Sequence, residues 1–371
     1  VIGIHDGHNA SVALVKNGVV ELALQEERLT RVKNQGDAPS QALGAALRLA
    51  NGSAAEAHVA LNGLYMNYGQ WQRETVVKDY ERSASLSNKL KQPLKDTFID
   101  RAYQRHKAGI REERLAEIGL PRDRFDAVEH HLAHASAAFY TRPWQAEESQ
   151  NDKTLVFTCD GSGDRLSATV SIGDRQGLTR IAEVAEQDSI GRLYALVTRY
   201  LGMTPLEHEY KVMGLAPYVA SQRKTEEAAN LFRQMFEFTA NPLVWRRKHG
   251  VPSLYSGFDF LSKALTRERF DLIAAGVQRF IEEMLATWIG NAIRETGIRK
   301  IVCSGGVFMN VKANLSLLHL PELEDIYIFP SCGDESNSIG AACRVAAQQG
   351  DTIQPLKGIY WGDPITDDEA E

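Results

Sequence analysis

Long apolar runs are missing: nowhere do hydrophobic residues continue for the ~20 positions a helix needs to cross a bilayer, so no membrane partner is expected. Cysteine is scarce, with four residues, Cys159, Cys303, Cys332 and Cys343, and none stands in a C-x-x-C pair. Each lies in or beside an apolar or glycine-containing run, where a buried free thiol is the ordinary outcome. Scattered thiols suit a reduced, cytoplasmic compartment. Clustered positive charge is missing too, since 42 Lys and Arg against 48 Asp and Glu leave −6, with the cations spread along the chain. A nucleic-acid partner normally asks for a basic face, so none is expected. No charged-then-apolar leader precedes the opening strand “VIGI”.

What is present suits a globular enzyme. Hydrophobic content of 43% against 24% charged is enough to build a core, and 371 residues exceed what one core usually holds. Two lobes are therefore expected.

A repeat gives them shape. In “VIGIHDGHNASVALVKNGVVELAL” an apolar strand ends in Asp6-Gly7, and two further apolar runs flank Lys16-Asn17-Gly18, a strong hairpin signal. From Thr154, “TLVFTCDGSGDRLSATVSIGDRQGLTRIAEV” repeats the plan, with a strand ending in Asp160-Gly161 and a hairpin over Ala168 to Ile172 and Leu178 to Ala182. Each unit delivers a carboxylate to a strand end, and the glycine lets backbone approach an anion. Two copies facing one another would enclose a cleft. Asp-Gly is also the commonest turn dipeptide, but its recurrence in matched context makes internal duplication the stronger reading.

Elsewhere strands alternate with helices. Ser40 to Ala50 reads as a helix, “HVALNG” and “FDAVE” as strands, and the charged stretch from Trp71 to Leu120 as interrupted helix. “SIGRLYALVTRYLG” reads as a helix capped by Ser189, Glu226 to Phe260 as an insertion, and Asp271 to Glu295 as a long amphipathic helix. The plan is α/β with mixed sheets.

Chemistry concentrates in a few places. “HHLAHASAAFY” puts His130 and His134 four positions apart, so on a helix both rings project from one face and can grip one divalent ion. The structural alternative is a helix start that merely packs its imidazoles. Third and fourth ligands would come from acids at strand ends, Asp160 and Asp334, giving a set suited to iron, zinc or manganese. His8, just past the first Asp-Gly, has a pKa suited to taking a proton from an alcohol near neutral pH, whereas His5 belongs to the strand. “CSGGVFMN” offers bare backbone at Ser304-Gly305-Gly306 to a ring or phosphate, with Asn310 able to donate to adenosine or phosphate. In “EHEYKVMGLAPY”, Glu209 and Lys211 precede a glycine-bearing turn and bind substrate or form a surface ion pair. “QEERLTRVKN” follows what reads as an inner strand, from which Lys33 could reach phosphate; otherwise it is a solvated charge run.

Taken in order, “DGHNAS”, “EERLTRVK”, “HHLAHASAAFY”, “CDGSGD”, “EYKVMGLAPY”, “CSGGVFMN” and “GDESNSIGAA” resemble the O-carbamoyltransferase family of the nodulation-factor and antibiotic-tailoring type, the tobramycin carbamoyltransferase among them. The resemblance covers nearly the whole chain and extends to tRNA threonylcarbamoyladenosine synthases and hydrogenase-maturation carbamoyltransferases. It implies a duplicated actin/sugar-kinase/Hsp70-like (ribonuclease H-like) core of two lobes with a central cleft, residues 1–150 and 151–349. Residues 350–371 look like the junction to a C-terminal, YrdC-like domain that forms carbamoyladenylate from carbamoyl phosphate and ATP.

The same resemblance implies that His130, His134, Asp160 and Asp334 hold a divalent metal, iron foremost. Asp6 and His8 match acceptor-binding and general-base positions. Lys33, Asn310 and Gly305-Gly306 fall where adenylate is held, beside Asp160-Gly161, and Glu209 with Lys211 belongs to the substrate side. The implied partner is a small-molecule hydroxyl acceptor, such as a sugar or natural product, and a homodimer is compatible. A kinase or ATPase on this core would use Mg2+ held by carboxylates and water, which the histidine pair disfavours. A tRNA acceptor is disfavoured by the acidic balance. Insertions around Trp71 to Leu120 and near Trp245 are expected to shape the acceptor pocket.

Overall fold

The computed structural model describes residues 1–50, 57–64, 73–81, 98–120, 125–147, 149 and 151–362. Contacts divide the chain into two units: Val1–Trp71 with Arg101–Ser149 and Phe329–Glu371, and Gln72–Asp100 with Gln150–Ile328. Linear order alone would assign residues 329–349 to the second lobe; in the structure they pack with the first.

The first unit is built on five strands, β1 (Ile2–His5), β2 (Ser11–Lys16), β3 (Val19–Gln25), β4 (Val59–Asn62) and β5 (Phe125–Val128), in the order β3-β2-β1-β4-β5. β2 runs antiparallel to both β1 and β3, and β4 pairs in parallel with both β1 and β5. Asn17 and Gly18 join β2 to β3 with φ of 51° and 76°, the two left-handed residues that a tight hairpin turn needs. Side chains alternate along β1, so Ile2 and Ile4 share one face. There they join Val12, Leu43 and Leu115 beneath the helix Ser40–Ala50. Each such side chain is worth roughly 1.5–3 kcal/mol when fully buried. Gly3 and His5 look the other way, toward the helices His130–Tyr140 and Asn337–Gln348. Ala60, Val128, Ala133, Ala341 and Val345 make the smaller core on that side.

The second unit repeats the design. Strands β6 (Thr154–Gly163), β7 (Leu166–Asp174), β8 (Gly177–Ala185), β11 (Lys300–Ser304) and β12 (Asp325–Ile328) lie in the order β12-β11-β6-β7-β8. The antiparallel hairpins and the parallel pairs recur in the same places. Two α/β units with matching strand order are the duplicated fold class expected from the sequence. One detail differs. β6 does not stop at Asp160-Gly161; its pairing breaks between Cys159 and Gly163 and then resumes. Such a bulge bends the strand and re-aims the side chains within it.

The helix Phe270–Thr296 buries Val277, Phe280, Leu285 and Trp288. Trp288 meets Phe157 at 4.9 Å and Trp245 at 5.0 Å, edge to face. Trp245 lies on β10 (Trp245–Arg247), which pairs with β9 (Phe236–Phe238). Trp245 is a core residue, with its indole N–H donated to the Asp188 carbonyl at 2.9 Å. An indole of that size gains more from burial than from lining a wet surface. Of the stretch from Trp71 to Leu120, residues 73–81 and 98–120 are described, with the helices Arg73–Tyr80 and Phe98–Glu117, and the remainder lies outside the described residues. All four cysteines are free and buried. Among the described residues no helix is long and apolar enough to cross a membrane.

Candidate functional site

In the first unit, the helix His130–Tyr140 starts where β5 ends. Glu129 caps it by accepting the His131 and Leu132 backbone N–H groups at 3.0 and 2.8 Å. The cap fixes the first turn, and with it the directions of His130 and His134. Asp334 arrives from the chain end, in a short turn leading into the helix Asn337–Gln348. That helix comes very close to the histidine helix, because a Cβ on Gly340 would stand 1.9 Å from the Ala133 carbonyl oxygen. Only glycine permits this approach. It carries Asp334 to the imidazoles.

The resulting geometry is tight. Asp334 Oδ1 lies 3.5 Å from His130 Nε2 and 3.3 Å from His134 Nε2, and both histidines are buried. Burial works against the Asp334 charge. The nearby His130, the His134 hydrogen bond and His5 outweigh it and hold the carboxyl well below the usual carboxylate range. Two imidazole nitrogens and a carboxylate oxygen, all within 4.8 Å of one another, form a donor set that fits a divalent first-row ion.

His5 stands beside this set with both ring nitrogens engaged. Its Nε2–H donates to the His8 carbonyl at 2.8 Å, and its Nδ1 accepts from Asn62 Nδ2 at 2.8 Å. Burial lowers its pKa despite the pull of Asp334, so it is the neutral form that is favoured. His5 therefore fastens the loop that carries His8, as a strand residue should.

Asp6 is fully buried and bidentate on Arg111, at 2.8 Å from Nε and 2.6 Å from Nη2. Arg111 also caps the end of β4 by donating to the Asn62 and Gly63 carbonyls, at 2.5 Å each. This partnership was not legible in the sequence. Arg111 sits in “IREERLAE”, a run indistinguishable from a solvated helix face. Lys33 is exposed in the loop after the short helix Glu26–Thr30. β3, which leads into that helix, is an edge strand rather than the inner strand expected, because the hairpin folds it outward from β1.

In the second unit, the bulge of β6 brings Asp160 to the turn after β11. The Gly306 N–H donates to Asp160 Oδ1 at 3.1 Å, and Gly305 adopts φ 103° with Cys159 backbone behind it. Ser189 closes the third side. Its hydroxyl donates to the Asp160 carbonyl at 3.1 Å and accepts the Arg192 N–H at 2.9 Å, capping the helix Ile190–Tyr200 as anticipated. Space above Gly161 is open. Asp160, Gly161, Gly305 and Gly306 are thus drawn together around bare backbone.

Asn310 is placed differently. Its Oδ1 caps the helix Val311–Leu317 through the Ala313 N–H at 3.0 Å, and its amide exchanges two hydrogen bonds with Gln278. The segment expected to be a turn around Gly214 is the helix Glu209–Leu215. Glu209 accepts the Leu206 N–H at 2.8 Å. Burial pushes its carboxyl pKa up, against the backbone N–H groups that favour the charge. Lys211 points outward. Sequence reasoning also missed Arg192, buried between the rings of Tyr80 and Tyr255 at 4.4 and 3.9 Å and paired with Asp79 at 2.9 Å. Tyr255 in turn donates to Ser162 Oγ at 2.5 Å, tying this group to the “DGSG” bulge.

Comparison with known proteins bears on this geometry. The family described as “Carbamoyltransferase N-terminus” matches residues 1–343. Nodulation protein NolNO of Sinorhizobium fredii is 28% identical over 371 residues, covering 98% of this chain and 50% of that protein. Nodulation protein NolO of Bradyrhizobium diazoefficiens is 30% identical over 249 residues, covering 66% of this chain and 43% of the relative. The chain thus spans about half the length of these curated relatives. Among solved structures, HypF from T. kodakarensis is similar at 12% identity and a TM-score of 0.44, over 95% of this chain and 49% of that one. The ADPNP-bound activator of the 2-hydroxyisocaproyl-CoA dehydratase from Clostridium difficile is similar at 13% identity and a TM-score of 0.45, over 96% and 98%.

Proposed function

The chain belongs to the carbamoyltransferase N-terminal family, and on that footing we propose that it moves a carbamoyl group from carbamoyladenylate to a hydroxyl of a small-molecule acceptor such as a sugar or natural product. The convergence of His130, His134 and Asp334 carries this reading. Asp160 is proposed as a fourth donor from its motif alone. When bound, a divalent cation, iron foremost, supplies Lewis-acid polarisation of a carbonyl or phosphate oxygen.

The chain's own residues do the rest. His8, on the loop fastened by His5, takes the proton from the acceptor hydroxyl as the oxygen attacks the carbamoyl carbon. The bond from that carbon to the phosphate oxygen breaks, and AMP leaves. Asp6, with both oxygens on Arg111, acts by holding the same loop against β4. Asp160-Gly161 and Gly305-Gly306 receive the adenylate on bare backbone, and their mutual hydrogen bond supports the reading. Lys33 is proposed to steer phosphate from an exposed position. Asn310 contributes by fixing the helix after the glycine turn. Glu209 is proposed to meet the acceptor from a desolvated position, with Lys211 at the rim. Formation of carbamoyladenylate from carbamoyl phosphate and ATP is proposed to belong to a YrdC-like domain outside these residues. The cytoplasm, where carbamoyl phosphate and ATP coexist, is the proposed compartment.

The test is to supply carbamoyladenylate with a panel of hydroxylated acceptors and weigh the products. A carbamoyl gain that disappears in His8→Ala supports the proposal. A phosphoryl gain, or transfer undiminished in His8→Ala, overturns it. With ATP and carbamoyl phosphate alone, these residues are expected to release no pyrophosphate.

A further inference from the structure

We infer that Asn337 belongs to the cation site and turns its amide oxygen toward the ion; the inference rests on the metal reading above. Asn337 opens the helix Asn337–Gln348, three residues after Asp334, and is fully buried. Its Nδ2 lies 3.1 Å from His134 Nε2, the ring nitrogen that also lies 3.3 Å from Asp334 Oδ1. With the amide nitrogen facing the ring, one imidazole nitrogen cannot serve both neighbours. If Nε2 carries a proton it can donate to Asp334, but it then confronts the amide N–H group. If Nε2 is bare it accepts from Asn337, but its lone pair then confronts a carboxylate oxygen.

Asn337 Oδ1 is buried and has no hydrogen-bond partner among the described residues. An orphaned buried oxygen is unfavourable and calls for a physical reason. A cation on the bare Nε2 supplies one. The lone pair and the Asp334 oxygen then both face positive charge, so their conflict vanishes. The amide can no longer donate to Nε2, and a half-turn brings its oxygen to the same place. The orphaned oxygen becomes a donor to the cation, and the freed amide nitrogen takes the outer position. Hard oxygen donors beside two imidazoles shift the preference of a site toward Mn2+, Fe2+ and Co2+ and away from thiolate-loving ions.

The experiment compares Asn337→Ala and Asn337→Asp with the unaltered chain. Mn2+ and Co2+ affinities are measured against a competing chelator, and the visible absorption of bound Co2+ reports its coordination. The expected result for Asn337→Ala is at least tenfold weaker binding and an altered Co2+ spectrum. Without cation its melting temperature should be unchanged or higher, since an orphaned polar group has been removed. Asn337→Asp keeps the oxygen and adds charge, so it should bind more tightly; it alone decides the matter if the alanine variant fails to fold. Unchanged affinity and spectrum in these variants would overturn the role of Asn337. Loss of cation-free stability at unchanged affinity would mark a purely structural amide, and also overturns it. If the unaltered chain binds no cation at all, the metal reading itself falls, which is a distinguishable outcome.

Discussion

His134 Nε2 and Asp334 Oδ1 lie 3.3 Å apart although 200 positions separate them in the chain. An ion bound by both would tie the start of one helix to the start of another. A ligand that binds only the folded state stabilises it by about 2.7 kcal/mol at a hundredfold excess over its Kd. Adding Mn2+ or Fe2+ should therefore raise the melting temperature, chelation should reverse the rise, and His134→Ala should abolish it. Differential scanning calorimetry with and without chelator checks this. A cation-induced rise that survives in His134→Ala would contradict it.

The Asp6–Arg111 pair yields a second expectation. Removing one partner of a buried pair leaves the other charge uncompensated, at a cost of about 3–5 kcal/mol. Arg111→Met should reach that range in urea denaturation, because Asp6 is fully buried and two carbonyls lose their donor as well. Adding Asp6→Asn to Arg111→Met should recover part of the loss, since the stranded charge is gone.

Glu209 predicts a pH dependence. Its folded-state pKa is raised, chiefly by burial. Such a group contributes its stability below the ordinary glutamate value of about 4.3, and that contribution is lost as pH rises through the higher folded value. Glu209→Gln never carries the charge and keeps an oxygen for the Leu206 N–H. The variant should therefore melt above the unaltered chain at neutral pH, with the gap closing toward pH ~4. Acceptor turnover should fall in the same variant, as expected where a destabilised group serves function. Melting curves across pH decide the first point.

Gly340 yields a fourth. A methyl group there would overlap the Ala133 carbonyl, a backbone atom that cannot swing aside. Gly340→Ala should cost about 1–3 kcal/mol or more as the helices separate. It should also weaken cation binding, because the displaced helix carries Asp334. Destabilisation with full cation affinity would show that Asp334 is positioned by its own turn and not by the helix contact.

Much of this architecture was legible in the residues because it is written in short-range spacing. Asn17-Gly18 fixed a hairpin, since both residues tolerate the left-handed backbone that the turn requires. Ser189 fixed a helix start by accepting the Arg192 N–H. The strand–Asp-Gly–hairpin repeat determined two sheets of matching order, and the four-residue interval determined that His130 and His134 share a face. Asp160 and Asp334 were singled out by their place after apolar runs and by resemblance.

Other features belong to tertiary structure alone. Arg111 looks like any helical surface charge until packing buries it on Asp6. Trp245 reads as part of an insertion until Trp288 packs edge to face against it. The helix Asn337–Gln348 lies nearly at the far end of the chain from β1, yet Gly3 abuts the Ser338 carbonyl. Turns and periodic faces depend on neighbours a few residues away, so the sequence by itself determines them. The partner of a buried charge or a bare glycine is chosen by which distant surfaces exclude water together, and no local spacing records that choice.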